Sequence, residues 1–389
     1  MEHKINPFVS ENKEELVYKL IENDFGFAAW RMPNKTEIQL IISLEKPKQY
    51  NSTISEFDTG FIINQYQDNH PIKPFYIKAD IILKEKGTEA DIDPRVGDKQ
   101  LDGFTRSIAS PQSSKPELNP DSSFPNALPN SFKELVQQAI EEIKLGQFQK
   151  VVLSRYEDLN IPEGFSSWNF FQLVCNEYPN AFCSLSFIPE KGLWVGATPE
   201  LLISNNEYAF QTVALAGTKK LKENQSLSEI TWTQKEIEEQ AFVSRYIINC
   251  FKKLRLREFY EHGPKAIKAG HLAHLKTMFR VNYQEILFEE LEDQMVELLH
   301  PTSAVCGMPI ETTKPWILSH EGYDREFYAG FLGPVNFERS TDLFVNLRCA
   351  KISNDCIRFY AGAGITEDSN PKKEFEETVL KMNVLKNLM

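Results

Sequence analysis

The segment from Phe359 to Lys381, FYAGAGITEDSNPKKEFEETVLK, constrains the fold most, because it predicts a strand that ends at glycines and passes through a polar turn into a helix. Pro371 suits the first position of that helix, where its missing N–H costs no hydrogen bond. Backbone N–H groups at the glycines can approach an anion closely. On the helix, Glu374, Glu377 and Lys381 share one face. This pattern suggests a metal ion that bridges the protein and an acidic substrate, although such glutamate pairs are more often solvated surface.

The overall charge excludes some classes of partner. The 389 residues carry 43 Lys and Arg against 55 Asp and Glu, a formal charge of −12, which argues against nucleic acid and anionic membrane as partners. An acidic metabolite stays compatible, because a metal can supply local positive charge. No apolar run reaches membrane-spanning length, and the N-terminus lacks the order of a signal peptide, so the sequence predicts a cytoplasmic protein.

The six cysteines show no C-x-x-C pair, and several lie inside apolar, strand-like runs such as AFCSLSF. This pattern favours buried free thiols over zinc ligands or disulfides.

Three regions follow one another along the chain. Residues 1–106 predict a helix over Lys13–Asn23 and strands near 37–45, 60–66 and 74–85, with no motif that carries chemistry, and we expect them to pack on the same body as the rest. Residues 107–130, SIASPQSSKPELNPDSSFPNALPN, are too rich in Ser, Pro and Asn to bury a core and predict a linker or exposed loop. Residues 131–389 form a new unit, which opens with a capping-box pattern at Ser131 and Glu134.

Two residues in this unit are candidates for proton transfer. In the predicted strand FQKVVLSRY, Lys150 shares a face with Val152 and Ser154. Burial there would lower the pKa of Lys150 and make it a general base, although the strand by itself favours a lysine at a strand edge in water. Glu200 follows Pro199 in GATPELL, and burial would raise its pKa so that it donates a proton, but a solvated turn glutamate is as compatible.

Other segments supply candidates for binding charged groups. A glycine turn is predicted in ALAGTKK, where backbone amides could face an anion. The long helix near 229–254 places Glu236 and Glu239 on one face, and by itself this pattern favours a solvated surface. Arg348 lies in the predicted strand LFVNLRCAKI, and its planar guanidinium suits a carboxylate. For His274 a structural role is the default.

Seven motifs in order, KVVLSR, GATPELL, ALAGT, HPTSAVCGMP, YAGFLG, LRCAK and AGAGI, resemble those of the chorismate-utilising enzymes. This family includes isochorismate synthase, salicylate synthase and the first components of anthranilate and aminodeoxychorismate synthases. The resemblance covers roughly Phe132 to the C-terminus. It implies an α+β fold in which two antiparallel β-sheets pack face to face, with helices outside and the active site between the sheets.

The resemblance also implies roles for individual residues. Lys150 matches the lysine that activates water, and Glu200 matches the general acid. A Mg²⁺ ion would be held by Glu239, Glu374 and Glu377, with Glu236 as a possible substitute because Gln240 stands where the family commonly has histidine. The substrate would contact the following residues: Gly217, Thr218, His274, Ala304, Tyr328, Arg348, Gly362 and Lys381.

Within the family, the form HPTSAVCGMP with Ala304 favours an isochorismate synthase, which adds water at C2 of chorismate with loss of the C4 hydroxyl. A salicylate synthase, which also eliminates pyruvate, is the alternative. The aminating enzymes are less favoured, because they need an ammonia route and usually a glutaminase. We expect a monomer without an obligatory protein partner, whose product feeds menaquinone or siderophore synthesis. A silent chorismate-binding protein would be expected to have lost Lys150, Glu200 or the glutamates, and a scaffold would need no such set.

Overall fold

The computed structural model describes residues 12–67, 71–84, 90–109, 131–221, 226–269, 272–286, 288 and 290–389. The helices in these ranges are α1 (Lys13–Glu22), α2 (Asp98–Ala109), α3 (Phe132–Lys144), α4 (Ser167–Glu177), α5 (Gln234–Lys253), α6 (Leu291–Leu299), α7 (Ile310–His320) and α8 (Pro371–Lys386). The strands are β1 (Phe27–Arg31), β2 (Ile38–Ile42), β3 (Lys48–Gln49), β4 (Gly60–Asn64), β5 (Phe75–Lys78), β6 (Ile81–Lys84), β7 (Ala90–Ile92), β8 (Lys150–Asn160), β9 (Phe182–Ile188), β10 (Gly192–Thr198), β11 (Leu201–Asn206), β12 (Ala209–Lys220), β13 (Tyr260–Ala269), β14 (Leu272–Asn282), β15 (Gly307–Met308), β16 (Phe331–Val335), β17 (Ser340–Val345), β18 (Cys349–Ile352) and β19 (Cys356–Ile365).

These strands form two antiparallel sheets. The ten-stranded sheet has the order β15-β8-β19-β18-β10-β9-β1-β2-β6-β7, and the nine-stranded sheet has the order β13-β14-β12-β11-β17-β16-β4-β5-β3. The N-terminal strands continue both sheets, because β1 pairs with β9 and β4 pairs with β16. The fold is therefore α+β, with residues before 106 built into the same two sheets as the later residues.

Strand β1 shows how the two faces of the ten-stranded sheet are used. Ala28 and Trp30 belong to the apolar cluster that joins the two sheets, whereas Phe27 and Ala29 belong to a second cluster that includes side chains of α1, α2, α4 and α8. All five residues of β1 are buried. This strand was not predicted, because a strand covered on both faces lacks the alternation of apolar and polar residues.

Several local predictions are confirmed. The capping box at Ser131 and Glu134 begins α3, and α1 lies where the first helix was predicted. Pro371 occupies the first turn of α8, which Asn370 caps. All six cysteines are free thiols, and Cys356 is the one that is partly exposed. In the part of the chain that the structure describes, no helix is long and apolar enough to span a membrane.

Other boundaries were predicted wrongly. The run at 74–85 is two strands, because β5 belongs to the nine-stranded sheet and β6 to the ten-stranded sheet. Between them the buried Asp80 accepts a hydrogen bond from the Leu44 N–H (2.8 Å). The predicted linker starts too early, because Ile108 is buried in the last turn of α2 with Phe104. Residues 110–130 of that linker lie outside the described residues.

Helix α6 carries a buried carboxyl group at Glu292. Its Oε2 accepts a hydrogen bond from Asn205 Nδ2 (2.7 Å), and Asn205 Oδ1 accepts one from the Tyr283 hydroxyl (2.6 Å). Burial raises the pKa of Glu292 from 4.5 to about 7, and the hydrogen bond from Asn205 offsets only part of this effect. The folded protein holds this proton more tightly than the unfolded chain does. Ionisation of Glu292 therefore lowers the free energy of unfolding progressively between about pH 4.5 and pH 7, and the loss is complete above pH 7.

We therefore expect Glu292→Gln to raise the free energy of unfolding at pH 8 by up to about 3 kcal/mol and to change it much less at pH 5. The glutamine can still accept the hydrogen bond from Asn205. Urea unfolding at both pH values measures the difference. The exposed Glu163 provides the control, since Glu163→Gln should change neither value. An equal gain at pH 5 and pH 8 would contradict the role of ionisation.

Candidate active site

Two crossings between the sheets lie side by side. The chain leaves the ten-stranded sheet after β10, passes Pro199 and Glu200, and enters the other sheet at β11; it returns between β17 and β18. The Val345 N–H donates to the Glu200 carbonyl oxygen (2.9 Å), and the Ala197 N–H donates to the Arg348 carbonyl oxygen (3.0 Å). Each crossing therefore brings one candidate side chain, Glu200 or Arg348, to the same place.

The second crossing corrects a prediction. The sequence predicted one strand through LFVNLRCAKI, but β17 and β18 belong to different sheets and Arg348 lies between them. Its φ of +47° is in the left-handed region that residues other than glycine rarely adopt. A run of strand-forming residues cannot reveal that the chain changes sheets in the middle.

A cavity of about 250 Å³ opens at these crossings. Strands of both sheets, helices α5 and α8 and the loop before β15 form its walls. Every candidate site residue whose side chain the structure describes lines it: Lys150, Glu200, Gly217, Glu236, Glu239, His274, Ala304, Tyr328, Arg348, Gly362, Glu374, Glu377 and Lys381. The side chain of Thr218 lies outside the described residues. Segments far apart in sequence thus meet in one cavity.

The glycines of AGAG make room for the side chains of Lys150 and Tyr328. A Cβ added to Gly364 would lie 2.9 Å from Lys150 Cε, and one added to Gly362 would lie 2.9 Å from the Tyr328 hydroxyl. The sequence suggested that these glycines end the strand. This prediction is wrong, because β19 pairs with β8 as far as Ile365. At Gly362 the carbonyl oxygen accepts a hydrogen bond from Lys381 Nζ (2.7 Å).

The prediction of a glycine turn at Gly217 is also wrong. The motif ALAGTKK is part of the continuous strand β12, in which a register shift against β14 between Ala216 and Thr218 marks a β-bulge. The φ of Gly217 is +67°, and an added Cβ would lie 3.1 Å from Glu236 Cβ. A bulge at a glycine bends the strand and lets helix α5 approach it closely.

The pKa values of Lys150 and Glu200 are shifted in opposite directions by burial. Burial lowers the pKa of Lys150, although the negative charges of Glu239 and Glu200 act in the opposite direction. Burial raises the pKa of Glu200 from 4.5 to about 7, against the effects of Arg348 and Lys150. The predicted directions are confirmed, so a lysine that loses its proton readily and a carboxyl group that keeps one near neutral pH face the same cavity.

The positive groups of the cavity suit an anion. Arg348 and Lys381 line it together with His274. Burial, followed by the charge of Arg348, lowers the pKa of His274 to about 4, so the imidazole is neutral at pH 7. Lys381 Nζ also lies 2.6 Å from Glu377 Oε1, one turn earlier on α8.

Apart from Glu200, the acidic groups of the cavity come from α5 and α8. Glu236 is engaged at the start of its own helix, where its Oε2 accepts from the Thr233 N–H (2.7 Å) and Thr233 Oγ1 (2.5 Å). Gln240 is buried away from the cavity lining, and its Nε2 donates to the Ala214 carbonyl oxygen (3.1 Å). Glu239 is therefore better placed than Glu236 to bind a ligand in the cavity.

A hard metal ion fits this donor set under one condition. Among the described residues, no group of three His, Cys, Asp or Glu side chains is close enough to hold a metal alone. Mg²⁺ commonly binds through one or two carboxylates and completes its shell with substrate oxygens and water. Glu239, Glu374 and Glu377 line the cavity and supply such oxygens. The residues therefore fit Mg²⁺ if a substrate completes the coordination.

Sequence reasoning missed two buried charged residues behind the cavity wall, Glu321 and Arg325. Arg325 Nε donates to Glu321 Oε2 (2.7 Å), and the side chains are each 2% exposed. A glutamate followed by an arginine four residues later is normally a solvated helical pair. Their position between the YAGFLG motif and α7 was the available signal.

A family model described as chorismate binding enzyme matches residues 37–389, which is most of the chain. The chain belongs to the chorismate-binding enzyme family. The match begins well before Phe132, so the family includes most of the N-terminal strands, where the sequence by itself showed little resemblance.

Curated relatives of this chorismate-binding enzyme include two bacterial proteins. Isochorismate synthase EntC of Escherichia coli (strain K12) is 27% identical over 265 residues, which cover 66% of this chain and 66% of EntC. Isochorismate synthase DhbC of Bacillus subtilis (strain 168) is 27% identical over 273 residues, which cover 67% of this chain and 68% of DhbC. The alignment to EntC thus spans just under two thirds of that relative.

Among solved structures, MenF, the menaquinone-specific isochorismate synthase from Escherichia coli, superposes with a TM-score of 0.77 at 20% identity, over 97% of this chain and 91% of that chain. Anthranilate synthase component I from Streptococcus pneumoniae superposes with a TM-score of 0.65 at 18% identity, over 92% and 89%. These similarities confirm the predicted α+β fold with two antiparallel sheets.

Proposed function

We propose that this chorismate-binding enzyme is an isochorismate synthase, which interconverts chorismate and isochorismate. The observation that carries the proposal is the meeting of Lys150 and Glu200 in one cavity with pKa values shifted towards those of a general base and a general acid. The names of the relatives EntC and DhbC support this choice within the family.

In the proposed reaction, Lys150 Nζ takes a proton from a water molecule as that water attacks C2 of chorismate. Glu200 gives a proton to the hydroxyl group that leaves C4, so one water enters and one leaves without any change of oxidation state. The lowered pKa of Lys150 makes the neutral amine accessible, and the pKa of about 7 keeps a proton on part of the Glu200 population at neutral pH. Arg348 and Lys381 would hold a substrate carboxylate.

The charge of the cavity explains why a cation would be needed. Chorismate carries two carboxylates, and they would enter a cavity that is already rich in acids. Among its described lining residues are three basic side chains, Lys150, Arg348 and Lys381, and five carboxyl groups, Glu200, Glu236, Glu239, Glu374 and Glu377. We propose that Glu239, Glu374 and Glu377 hold a Mg²⁺ ion, which supplies the positive charge that the ring carboxylate requires.

The first experiment incubates the purified protein with chorismate and Mg²⁺, separates the products by liquid chromatography and assays pyruvate in the same tube. Isochorismate in equilibrium with chorismate, without pyruvate, is the expected result. Salicylate with an equal amount of pyruvate would replace the proposal by salicylate synthase. No turnover, even with added ammonia, would indicate a protein that binds chorismate without converting it.

The proposed metal site predicts that Glu377→Ala raises the Mg²⁺ concentration for half-maximal rate by at least about tenfold, because a lost carboxylate ligand weakens binding by about 1.4 kcal/mol or more. Titration calorimetry of Mg²⁺ in the presence of chorismate, with each variant made in the Lys150→Ala background that lacks the proposed base, gives the same quantity without appreciable turnover. Glu376 is the matched control, since it lies on the same helix with an exposed side chain 4.0 Å from Lys372. A metal dependence that is the same in Glu377→Ala and Glu376→Ala would remove Glu377 from the site.

A further inference from the structure

One edge of β8, the strand that begins with Lys150, has few backbone partners from neighbouring strands. Within the described ranges, only the two-residue strand β15 pairs with the outer edge of β8, at Lys150 and Val151. The next outward-facing group, the Val152 N–H, donates to the Cys306 carbonyl oxygen (2.9 Å). Beyond this point the edge of β8 has no neighbouring strand in the described structure, and unpaired backbone groups on a buried edge are costly.

Glu321 and Arg325 supply the missing hydrogen bonds. Arg325 Nη2 donates to the Val152 carbonyl oxygen (2.8 Å), and the Ser154 N–H donates to Glu321 Oε1 (2.7 Å). The ion pair thus occupies the next two positions of the ladder, where a longer β15 would otherwise have bound.

The same arginine reaches a second part of the cavity wall. Arg325 Nη1 donates to the Val305 carbonyl oxygen (2.9 Å), and its guanidinium lies over the Tyr66 ring at 4.2 Å. Val152 and Val305 both line the cavity, whereas Glu321 and Arg325 do not. One rigid planar group therefore links the strand of Lys150 to the loop that carries Ala304 and Val305, in addition to the hydrogen bond between Val152 and Cys306.

We propose that Glu321 and Arg325 are positioning residues, which hold β8 and the loop at 304–305 at the separation that aims Lys150 at the substrate. This inference rests on the proposed function of Lys150. Two ions buried this completely are weak evidence for stability, because an apolar pair of similar volume often stabilises as well or better. Their hydrogen bonds to two separate walls of the cavity give them a positioning role instead.

The test compares Arg325→Lys and Glu321→Gln with Arg358→Lys. Arg358 makes a fork to Asp158 through Nε and Nη2 (both 2.8 Å) and lies over the Tyr156 ring at 3.6 Å, on the same pair of strands but outside the cavity lining. The control therefore makes the same chemical change in a similar setting. Stability is followed by thermal unfolding, and kcat and KM for chorismate are measured over a range of pH.

We expect Arg325→Lys and Glu321→Gln to lower kcat at least tenfold, since a misplacement of about 1 Å can cost on the order of a hundredfold. KM should change less than about twofold, because Arg348 and Lys381 lie on other elements. The rising limb of the pH–kcat profile should move to higher pH, since a displaced Lys150 becomes better solvated. Arg358→Lys should fold, and keep kcat and the profile of the wild type.

A folded Arg325→Lys protein with the kcat and pH profile of the wild type would overturn the proposal. So would loss of folding in both variants while Arg358→Lys folds, because the pair would then serve stability. If the wild-type protein forms salicylate instead of isochorismate, the proposed function fails. The comparison of Arg325→Lys with Arg358→Lys on that product still tests the positioning role.

Discussion

Replacing Lys150 with alanine should lower kcat for isochorismate formation by about 10²- to 10⁴-fold while the fold stays intact, because the substitution removes the proposed base. Lys150 is the first residue of β8, and the pairing of its backbone with Met308 does not depend on the side chain. Burial disfavours the charged amine, so its removal relieves a cost and the melting temperature should not fall.

The exposed Lys144, at the end of α3, is the control for this variant. Lys144→Ala should retain the wild-type kcat. The two proteins are compared in the chorismate assay at saturating Mg²⁺, with thermal unfolding to check the fold. Full activity of a folded Lys150→Ala protein would remove Lys150 from its proposed role.

Replacing Glu200 with glutamine should also lower kcat by about 10²- to 10⁴-fold, because the amide cannot give a proton to the leaving hydroxyl. The pH dependence adds a second signature. The acid must be protonated, and its pKa is about 7, so kcat/KM of the wild type should fall about tenfold for each pH unit well above 7. This alkaline limb should be absent from the residual activity of Glu200→Gln.

Glu292 is the matched control, because burial raises the pKa of this carboxyl group also to about 7 while it lies in α6, away from the cavity lining. Glu292→Gln should leave the alkaline limb where it is in the wild type. If the limb disappears in Glu292→Gln and persists in Glu200→Gln, the assignment of the acid is wrong.

The parts of the fold that could be predicted are those in which neighbouring residues carry the signal. The capping box at Ser131, Pro371 at the start of α8 and the shared face of Glu374, Glu377 and Lys381 are all local patterns, and the structure has each of them. The crossings at Glu200 and Arg348 could not be predicted in this way. A strand that continues and a strand that changes sheets have the same local periodicity.

The site residues were found in a different manner. Physical reasoning on each segment by itself favoured solvated side chains for Lys150 and Glu239 and left Glu200 undecided. The ordered motifs of the family assigned all three residues to one site. The motifs did not indicate the ion pair of Glu321 and Arg325, which lies behind the cavity wall. Charged residues are expected at the surface, so the residue types of Glu321 and Arg325 did not indicate burial, and only their position next to the YAGFLG motif was informative.

The sharing of both sheets by the N-terminal strands has a consequence for attempts to shorten the protein. A truncated version that starts at Ser131 would look like a complete catalytic domain in the sequence. It would remove β1 from β9 and β4 from β16, and so expose an open edge on each of the two sheets. Exposed strand edges promote aggregation, so the smallest well-behaved version of this enzyme should retain the region before residue 106.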